Sequence, residues 1–441
     1  MARWQRVIGS IANNIDDYFD GLKQRLSRKI GDDPITIVPY DGYGTDEQIR
    51  LCGRVLENPG LKFAQDNDSL WDNLLNMYRR FESDEVPGAK VVARFGDVEQ
   101  EVVADEEGFF EVVIQPTQPL PADRIRHEIT LELREPLRPE HGPVNATGCV
   151  FVPPPSAQFG VISDIDDTVL QTDATNLLRM ARSVFLSNAR TRLPFKGVAA
   201  LYRALSQGPN TSDSGPNPLF YVSSSPWNLH DLLTEFFGLN GIPRGPIFLR
   251  DWGISKDELL PTQHRGHKLT AIRQVIERYP ALPFILIGDS GQEDPEIYRE
   301  IVQLYPGRIH AIYIRNVSRD PARGEAIRKL AEEVVADGST LILADDTLAV
   351  ARHAAESGWI APETIALIEA ETAADATPVG PIERLLGEEE APAAPTIVIA
   401  DTTPEQTQEA VEQGAIESAL QSGDQSDDTP PTVIVEGEPK Q

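Results

Sequence analysis

Three carboxylates follow a short apolar run in the segment GVISDIDDTVLQT, residues 160–172. Asp164, Asp166 and Asp167 lie within four residues of one another, and carboxylates this close repel and shift each other's pKa values. A chain tolerates such a cluster where a positive charge lies among the carboxylates. The segment therefore predicts a cation site at the end of a buried strand, in which Asp167 is expected to be a structural residue of the loop.

Polar residues also end later apolar runs of the same half of the chain. One run ends in SSSPWN, beginning at Ser223, and another ends in Gly288-Asp289-Ser290, with Asp294 one helical turn further on. Lys268 lies at the head of the helical stretch before that second run. Ligands of doubly wound sheets collect beyond the C-terminal ends of the strands. We therefore expect these residues to meet at one rim of a parallel sheet.

These residue types together predict phosphoryl transfer. Asp164 and Asp289 can hold Mg²⁺, which proteins bind through one or two carboxylates, waters and phosphate oxygens. Asp164 can then attack phosphorus to give an aspartyl-phosphate, and Asp166 can protonate the leaving oxygen and later deprotonate the attacking water. Ser223 and Lys268 are expected to bind the oxygens of the transferring phosphoryl group.

The order of these motifs resembles the haloacid dehalogenase-like (HAD) phosphatase superfamily. Within it, residues 155–320 are similar to the catalytic domain of the actin-patch-type phosphatidate phosphatases, also known as DUF2183. The resemblance is carried by the segments SDIDDTVLQT, YVSSSPWNL, GHKLTAI and LIGDSGQEDPEIY. It covers the α/β part of the chain only.

The resemblance implies a role for each matched residue. Asp164 would be the nucleophile and Asp166 the acid and base, while Ser223 and Lys268 would bind phosphate. The implied ligands of the metal ion are Asp164, the main-chain carbonyl of Asp166 and Asp289, and Asp294 would be either a further ligand or a neighbour of the ligands. The implied reaction is hydrolysis of phosphatidate to diacylglycerol and inorganic phosphate.

Four further residues are predicted to contact the substrate. Thr168 and Ser224 lie inside the matched motifs, although related sequences are expected to carry Asn in place of Ser224, which leaves a side-chain amide contact in doubt. Trp227 either packs inside the protein or lines the mouth of the site. Arg250 either binds a second anionic group of the substrate or pairs with Asp251.

The hydrophobic pattern predicts four parts of the chain. Residues 1–30 read as an amphipathic helix, 31–155 as a small β-sandwich-like domain with one helix near 68–81, and 156–375 as an α/β domain. The α/β domain is expected to be a HAD-like Rossmann-type parallel sheet with helices on both faces and little or no cap. Residues 376–441 are expected to be a disordered acidic tail.

Two similar fragments lie in the tail, APTIVIADTTPEQ and PPTVIVEGEPKQ. Their similarity is either chance or the mark of two short strands that add to the sheet edge of a partner. The acidic tail is also a candidate binding segment for a protein partner.

Composition narrows the class of partners. The chain has a formal net charge of −29, which argues against nucleic acid as a main partner. The N-terminus does not have the pattern of a signal peptide, and no apolar window approaches the length of a membrane span. With two cysteines in 441 residues, we expect a cytoplasmic protein, with peripheral membrane binding left open.

Few residues remain between the predicted strands to cover the site. An open rim suits a phosphate presented on a large object, such as a lipid headgroup or a protein. A phosphatase of a soluble metabolite or phosphoprotein, and a non-catalytic adaptor that uses the β domain and the tail, are the alternative functions.

Overall fold

The fold of the protein is given by a computed structural model. It describes residues 34–57, 85–169, 195–209, 217–250, 261–318, 320–375, 396–399 and 432–435. The predicted N-terminal helix, the helix near 68–81 and most of the segment predicted to hold a small cap lie outside these residues. No helix in the described ranges is long and apolar enough to cross a bilayer.

The first part of the chain is rich in β-strands. Along the strand at 126–135, exposed and buried residues alternate, so that Ile129, Leu131 and Leu133 face the interior. The strands described in this part are β1 (Ile35–Pro39), β2 (Gly42–Gly44), β3 (Ile49–Glu57), β4 (Lys90–Phe95), β5 (Val98–Val103), β6 (Phe109–Ile114), β7 (Arg126–Glu135) and β8 (Asn145–Phe151).

These strands form one continuous set rather than two separate sheets. The hydrogen-bonded order is β1-β3-β2-β8-β7-β4-β5, and β6 pairs with β3. All pairs are antiparallel except β2 with β8. Their inward side chains share a single core. The expected sandwich-like region is thus a mixed sheet wrapped around one core.

The α/β region begins with strands that are buried along their whole length. Every residue of Gly160–Asp164 and of Phe284–Asp289 is buried, as expected for a parallel sheet covered on both faces. The parallel strands are β9 (Gly160–Asp164), β10 (Leu219–Pro226), β11 (Ile247–Arg250), β12 (Phe284–Asp289), β13 (Ile309–Arg315) and β14 (Thr340–Ala344).

Seven helices cover the two faces of this sheet in the described residues. They are α1 (Val198–Gln207), α2 (His230–Leu239), α3 (Pro261–Arg278), α4 (Asp294–Leu304), α5 (Pro321–Ala336), α6 (Thr347–Glu356) and α7 (Thr364–Asp375). Helices α1, α2, α6 and α7 pack on one face and α3, α4 and α5 on the other. Alternate strand residues serve the two cores: Ile285 and Ile287 face the first, and Leu286 the second.

The order of the strands determines where a ligand can bind. The sheet runs β11-β10-β9-β12-β13-β14, so the chain starts at the centre with β9, builds outward to β11, and then returns to β12 on the other side. The strand order reverses between β9 and β12. In sheets of this kind the crevice beyond the strand ends at the reversal is the usual binding site.

The acidic tail differs from the expectation of disorder at two short segments. Both similar fragments contain a strand, β15 (Thr396–Ile399) and β16 (Thr432–Val435). Strand β16 pairs antiparallel with β14, and β15 pairs parallel with β16. The sheet is therefore mixed rather than wholly parallel, and the strands extend the edge of this chain's own sheet rather than that of a partner.

A buried histidine couples the stability of this fold to pH. His353 on α6 is 5% exposed and packs against Tyr313 and Trp359, with Nδ1 2.9 Å from the Tyr313 hydroxyl. Burial lowers the pKa of His353 from its ordinary value of 6.5 to about 4. Between about pH 6.5 and about pH 4, the unfolded chain therefore binds more protons than the folded chain. The free energy of unfolding falls as the pH falls through this range.

We expect His353→Gln to weaken this pH dependence, because Gln offers a hydrogen-bonding group without taking up a proton. Between about pH 7.5 and about pH 5, the natural protein should lose about 2 kcal/mol more stability than the variant. Urea unfolding at both pH values measures the difference. Equal losses in the two proteins would contradict the assignment to His353.

Candidate active site

Two aspartates end the two central strands of the sheet. Asp164 is the last residue of β9 and Asp289 the last residue of β12. The two strands are neighbours in the sheet and run parallel. The two acids lie at one rim of the sheet, as predicted. They lie at the reversal of strand order, where such sheets bind ligands.

Asp294 completes a cluster of three buried carboxylates. It is the first residue of α4, and oxygens of Asp164, Asp289 and Asp294 all lie within 4.8 Å of one another. The three residues are 1%, 0% and 0% exposed. A set of carboxylate oxygens at this spacing is the donor type that hard divalent cations prefer.

A glycine lets the helix come this close to the strand. A Cβ atom at Gly288 would lie 2.5 Å from Oδ2 of Asp294 and 2.8 Å from the ring of Tyr298. With glycine there, Oδ2 of Asp294 accepts a hydrogen bond of 3.2 Å from the main-chain N–H of Asp289. Any larger residue at position 288 would therefore push Asp294 and the start of α4 away from the site.

Lys268 supplies positive charge inside the cluster. Its Nζ lies 2.8 Å from Oδ1 of Asp164 and 2.6 Å from Oδ1 of Asp294, and it donates a longer bond of 3.5 Å to Gln292. Burial by itself would lower the pKa of Lys268, but the charges of Asp164 and Asp294 outweigh it and raise the pKa. The lysine is charged and held by two carboxylates.

One lysine does not neutralise three carboxylates. Burial, together with the neighbouring acids, raises the pKa of Asp164 well above its ordinary value despite the attraction of Lys268. Burial and the charge of Asp294 raise the pKa of Asp289 to about 7. Oδ1 of Asp289 accepts from the main-chain N–H groups of Gly291 and Gln292, whereas its buried Oδ2 has no hydrogen-bond partner among the residues that the structure describes. An oxygen without a partner, among carboxyl groups whose pKa values are raised, fits a site for a bound cation.

Asp166 is held by the serine run that ends β10. Its Oδ2 accepts a hydrogen bond of 2.7 Å from Ser223 and one of 3.4 Å from Ser225. The hydroxyl of Ser223 also accepts from the main-chain N–H of Ser225 at 2.9 Å.

Asp167 has a φ of 55°, in the left-handed region, and lies in the turn that follows Asp166. The hydroxyl of Thr168 donates to Oδ2 of Asp164 at 3.3 Å.

The remaining predicted contacts have mixed positions. Ser224 is partly exposed, and its hydroxyl oxygen is buried with no hydrogen-bond partner. Arg250 ends β11 and is 9% exposed, while Asp251 lies outside the described residues. Trp227 stacks on Tyr40 of the β-rich region, with ring centroids 4.4 Å apart. For Trp227 the structure favours packing over lining the mouth of the site.

Sequence reasoning missed three residues of this site. Ser225 contacts Asp166, Gln292 contacts Lys268, and Gly288 makes room for Asp294. Ser225 and Gln292 lie inside the quoted motifs SSSPWN and GDSGQED, so proximity to the named residues was a usable signal. The tight approach at Gly288 depends on the helix that packs against it, which the local pattern does not reveal.

Comparison with known proteins bears on the same segment. Residues 159–316 match the protein-family model described as "Phosphatidate phosphatase APP1, catalytic domain". The resemblance of the motifs to the catalytic domain of phosphatidate phosphatases is confirmed. Every residue of the carboxylate cluster, Lys268 and the serine run falls inside the matched range.

Two curated relatives match as well. "Phosphatidate phosphatase APP1" of Saccharomyces cerevisiae is 30% identical over 218 residues, covering 48% of this chain and 36% of the yeast protein. "Uncharacterized protein C29B5.04c" of Schizosaccharomyces pombe is 33% identical over 166 residues, covering 37% of this chain and 26% of that protein. The chain thus matches about a third of the length of these relatives.

Solved structures add little. A β-glucuronidase of Parabacteroides merdae is 9% identical with a TM-score of 0.23, covering 68% of this chain and 39% of its own. A carbohydrate acetylesterase of Xanthomonas citri is 12% identical with a TM-score of 0.21, covering 66% and 71%. Overlaps at this level carry no argument about fold or function.

We expect Asp289→Asn to stabilise the cation-free protein while removing its response to Mg²⁺. The amide keeps the acceptor for Gly291 and Gln292 but removes one buried charge from the cluster, so the melting temperature in EDTA should rise by a few degrees. Added Mg²⁺ should raise the melting temperature of the natural protein, through binding to the folded state, but not that of the variant.

The matched control for this prediction is Asp345→Asn. Asp345 lies just beyond β14 at the same rim and accepts a hydrogen bond of 2.8 Å from Asn316, away from the three clustered carboxylates. This variant should keep the stabilisation by Mg²⁺. A full Mg²⁺ response in Asp289→Asn would show that the cluster does not bind the ion.

Proposed function

We propose that the protein is a Mg²⁺-dependent phosphatase of the HAD type that hydrolyses a phosphomonoester, with phosphatidate as the substrate and diacylglycerol and phosphate as the products. The observation that carries the proposal is the buried cluster of Asp164, Asp289 and Asp294 with Lys268, inside a segment that matches a phosphatidate phosphatase catalytic domain. The HAD assignment rests on the order of the motifs and on the central position of β9.

Asp164 is the proposed nucleophile. Its carboxylate is oriented from both sides, by Lys268 at 2.8 Å and by the hydroxyl of Thr168 at 3.3 Å. In the first step a bond forms between an oxygen of Asp164 and phosphorus while the bond from phosphorus to the ester oxygen breaks. Holding the attacking group in one orientation removes part of the entropic barrier to this step.

Asp166 is the proposed acid and base. Ser223 and Ser225 hold its carboxyl group beside the nucleophile's strand end. It would give its proton to the ester oxygen as that oxygen leaves. In the second step a water oxygen attacks phosphorus, Asp166 takes the proton of the water, and the bond from phosphorus to Asp164 breaks, which releases phosphate.

Mg²⁺ would be held by Asp164 and Asp289, with Asp294 close by and the main-chain carbonyl of Asp166 as a further ligand. When bound, the ion supplies positive charge that keeps these carboxylates ionised and offsets the charge of the phosphoryl group. Lys268 and Ser223 would bind the oxygens of that group. In this assignment Ser223 exchanges its bond to Asp166 for a bond to the substrate.

The identity of the substrate has a second candidate. The net charge of −29 disfavours approach to an anionic membrane surface, which favours a soluble phosphomonoester or a phosphoprotein over a lipid. A cytoplasmic location, peripheral membrane contact and a protein partner for the acidic tail remain predictions. The adaptor hypothesis is weakened because the predicted catalytic positions are all filled and several are in direct contact.

We expect Asp164→Asn to reduce phosphate release by about a thousandfold or more, because an amide oxygen is a far weaker nucleophile than a carboxylate. The matched control is Asp167→Asn, since Asn also adopts the left-handed backbone found there, and it should retain activity. Release of inorganic phosphate measures both. Retention of full phosphate release in Asp164→Asn would show that Asp164 is not the nucleophile. If the variant lost phosphate release but kept the protein's role in the cell, the adaptor hypothesis would be favoured.

A substrate panel separates the two candidate substrates. We expect phosphate release from phosphatidate in phosphatidylcholine vesicles, dependent on Mg²⁺ and abolished by EDTA. Soluble phosphomonoesters, including p-nitrophenyl phosphate and glycerol 3-phosphate, should be turned over more slowly. Turnover of the soluble esters without turnover of vesicle phosphatidate would remove the lipid assignment and leave the phosphatase.

A further inference from the structure

The turn that holds Asp166 continues directly into a contact with the β-rich region. Ser223 and Ser225 lie at the end of β10, and Trp227 follows two residues later. The ring of Trp227 stacks on that of Tyr40, with centroids 4.4 Å apart and an angle of 24° between the planes. Tyr40 lies between β1 and β2 and is 5% exposed.

Tyr40 is itself fixed on the β-rich side. Its main-chain N–H donates to the carbonyl of Cys52 on β3 at 2.9 Å. Its ring also packs against His230, the first residue of α2, at 4.4 Å, and lies 6.4 Å from Phe109. Phe109 in turn lies 6.4 Å from Trp227. The tyrosine therefore contacts both residues that flank the turn from β10 into α2.

Three further contacts join the β-rich region to β10 and its neighbourhood. Tyr43 packs against Phe220 in β10 and against Phe248 in β11, at centroid distances of 6.5 and 5.3 Å. Next to Tyr40, the carboxylate of Asp41 pairs with Arg244 at 2.7 Å, and its side chain is 7% exposed. The β-rich region thus contacts β10 within the strand and beyond its C-terminal end.

We propose that Tyr40 is a positioning residue of the active site: by stacking on Trp227 it fixes the turn that places the hydroxyls of Ser223 and Ser225 beside Asp166. The β-rich region is then part of the catalytic unit and not a separate accessory module. This inference rests on the proposed phosphatase function. It assigns Tyr40 no contact with the substrate.

The physical reason is that few residues separate the stacked ring from the serines along the chain. Trp227 lies two residues from Ser225 and four from Ser223, so loss of the stacked ring frees the part of the chain that places both hydroxyls. Aromatic pairs contribute orientation as well as buried area, and a displacement of about 1 Å at a catalytic group can cost about a hundredfold in rate. The carboxylates proposed to hold the cation lie on β9, β12 and α4, outside this turn, and Asp166 is proposed to contribute only its main-chain carbonyl.

The test compares three variants at Tyr40 in the full chain. Tyr40→Ala should lower kcat/KM for p-nitrophenyl phosphate about 10- to 100-fold. Its affinity for Mg²⁺, measured by calorimetry, should stay within about twofold because the carboxylate cluster is untouched. Tyr40→Phe keeps the stacked ring and should restore activity. Tyr40→Leu keeps apolar volume without a flat ring, and should lose activity while remaining folded in thermal unfolding.

The matched control is Gln48→Ala. Gln48 in the β-rich region accepts a hydrogen bond of 2.8 Å from Arg278, the last residue of α3, so it joins the same two regions away from the serine turn. This variant should retain activity. If it loses as much activity as Tyr40→Ala, general docking of the regions rather than the stack is responsible, and the inference is wrong.

The outcomes also separate this inference from the proposed function. Failure of the natural protein to release phosphate from any ester would overturn the proposed function itself. Activity in the natural protein that is unchanged in the folded variants Tyr40→Ala and Tyr40→Leu would overturn the positioning role alone. Parallel loss of Mg²⁺ affinity and activity in those variants would also overturn it, because it would place the effect in the carboxylate cluster.

Discussion

The structure of the candidate site depends on electrostatic repulsion among three buried carboxylates. Within the described ranges, Asp164, Asp289 and Asp294 share one small space with a single ammonium group, that of Lys268. The raised pKa values of Asp164 and Asp289 show that this one charge does not compensate for burial and mutual repulsion. Such an arrangement costs stability unless a further cation binds, so its presence is an argument for function.

The fold resists this repulsion through the position of the two strands. β9 and β12 are buried along their whole length and pair in parallel up to Ser163 and Ile287, which places the acids that end the two strands side by side. Helices on both faces fix them further, and Gly288 allows the start of α4 to approach. A rigid sheet with the acids at its reversal point is the type of scaffold on which a precise site can be built.

The two regions of the chain are physically continuous at this site. The aromatic contacts of Tyr40 and Tyr43 connect the β-rich sheet to β10, which carries the serine turn. At the far edge, β16 pairs with β14 and extends the sheet by strands from the acidic tail. The parallel sheet therefore has neighbours from both flanking parts of the chain.

Local pattern was sufficient for much of this. The apolar runs that end at Asp164 and Asp289 predicted buried strands of a sheet with helices on both faces, and the structure has both features. Lys268, expected at the head of a helix, lies well inside α3 instead. The acids and Lys268 could be assigned to one rim because parallel strands end at the same edge, whatever else the fold contains. The abundance of strands in residues 31–155 was likewise predicted from the sequence.

Contacts between distant residues could not be read in the same way. The stack of Tyr40 on Trp227, the pairing of Lys268 with Asp294, the hold of Ser225 on Asp166 and the strands of the tail each join segments with no shared local pattern. Residue types and periodicity determine which elements form and which ends are polar. Which side chains touch is decided by packing, because that depends on how the elements lie against one another in space.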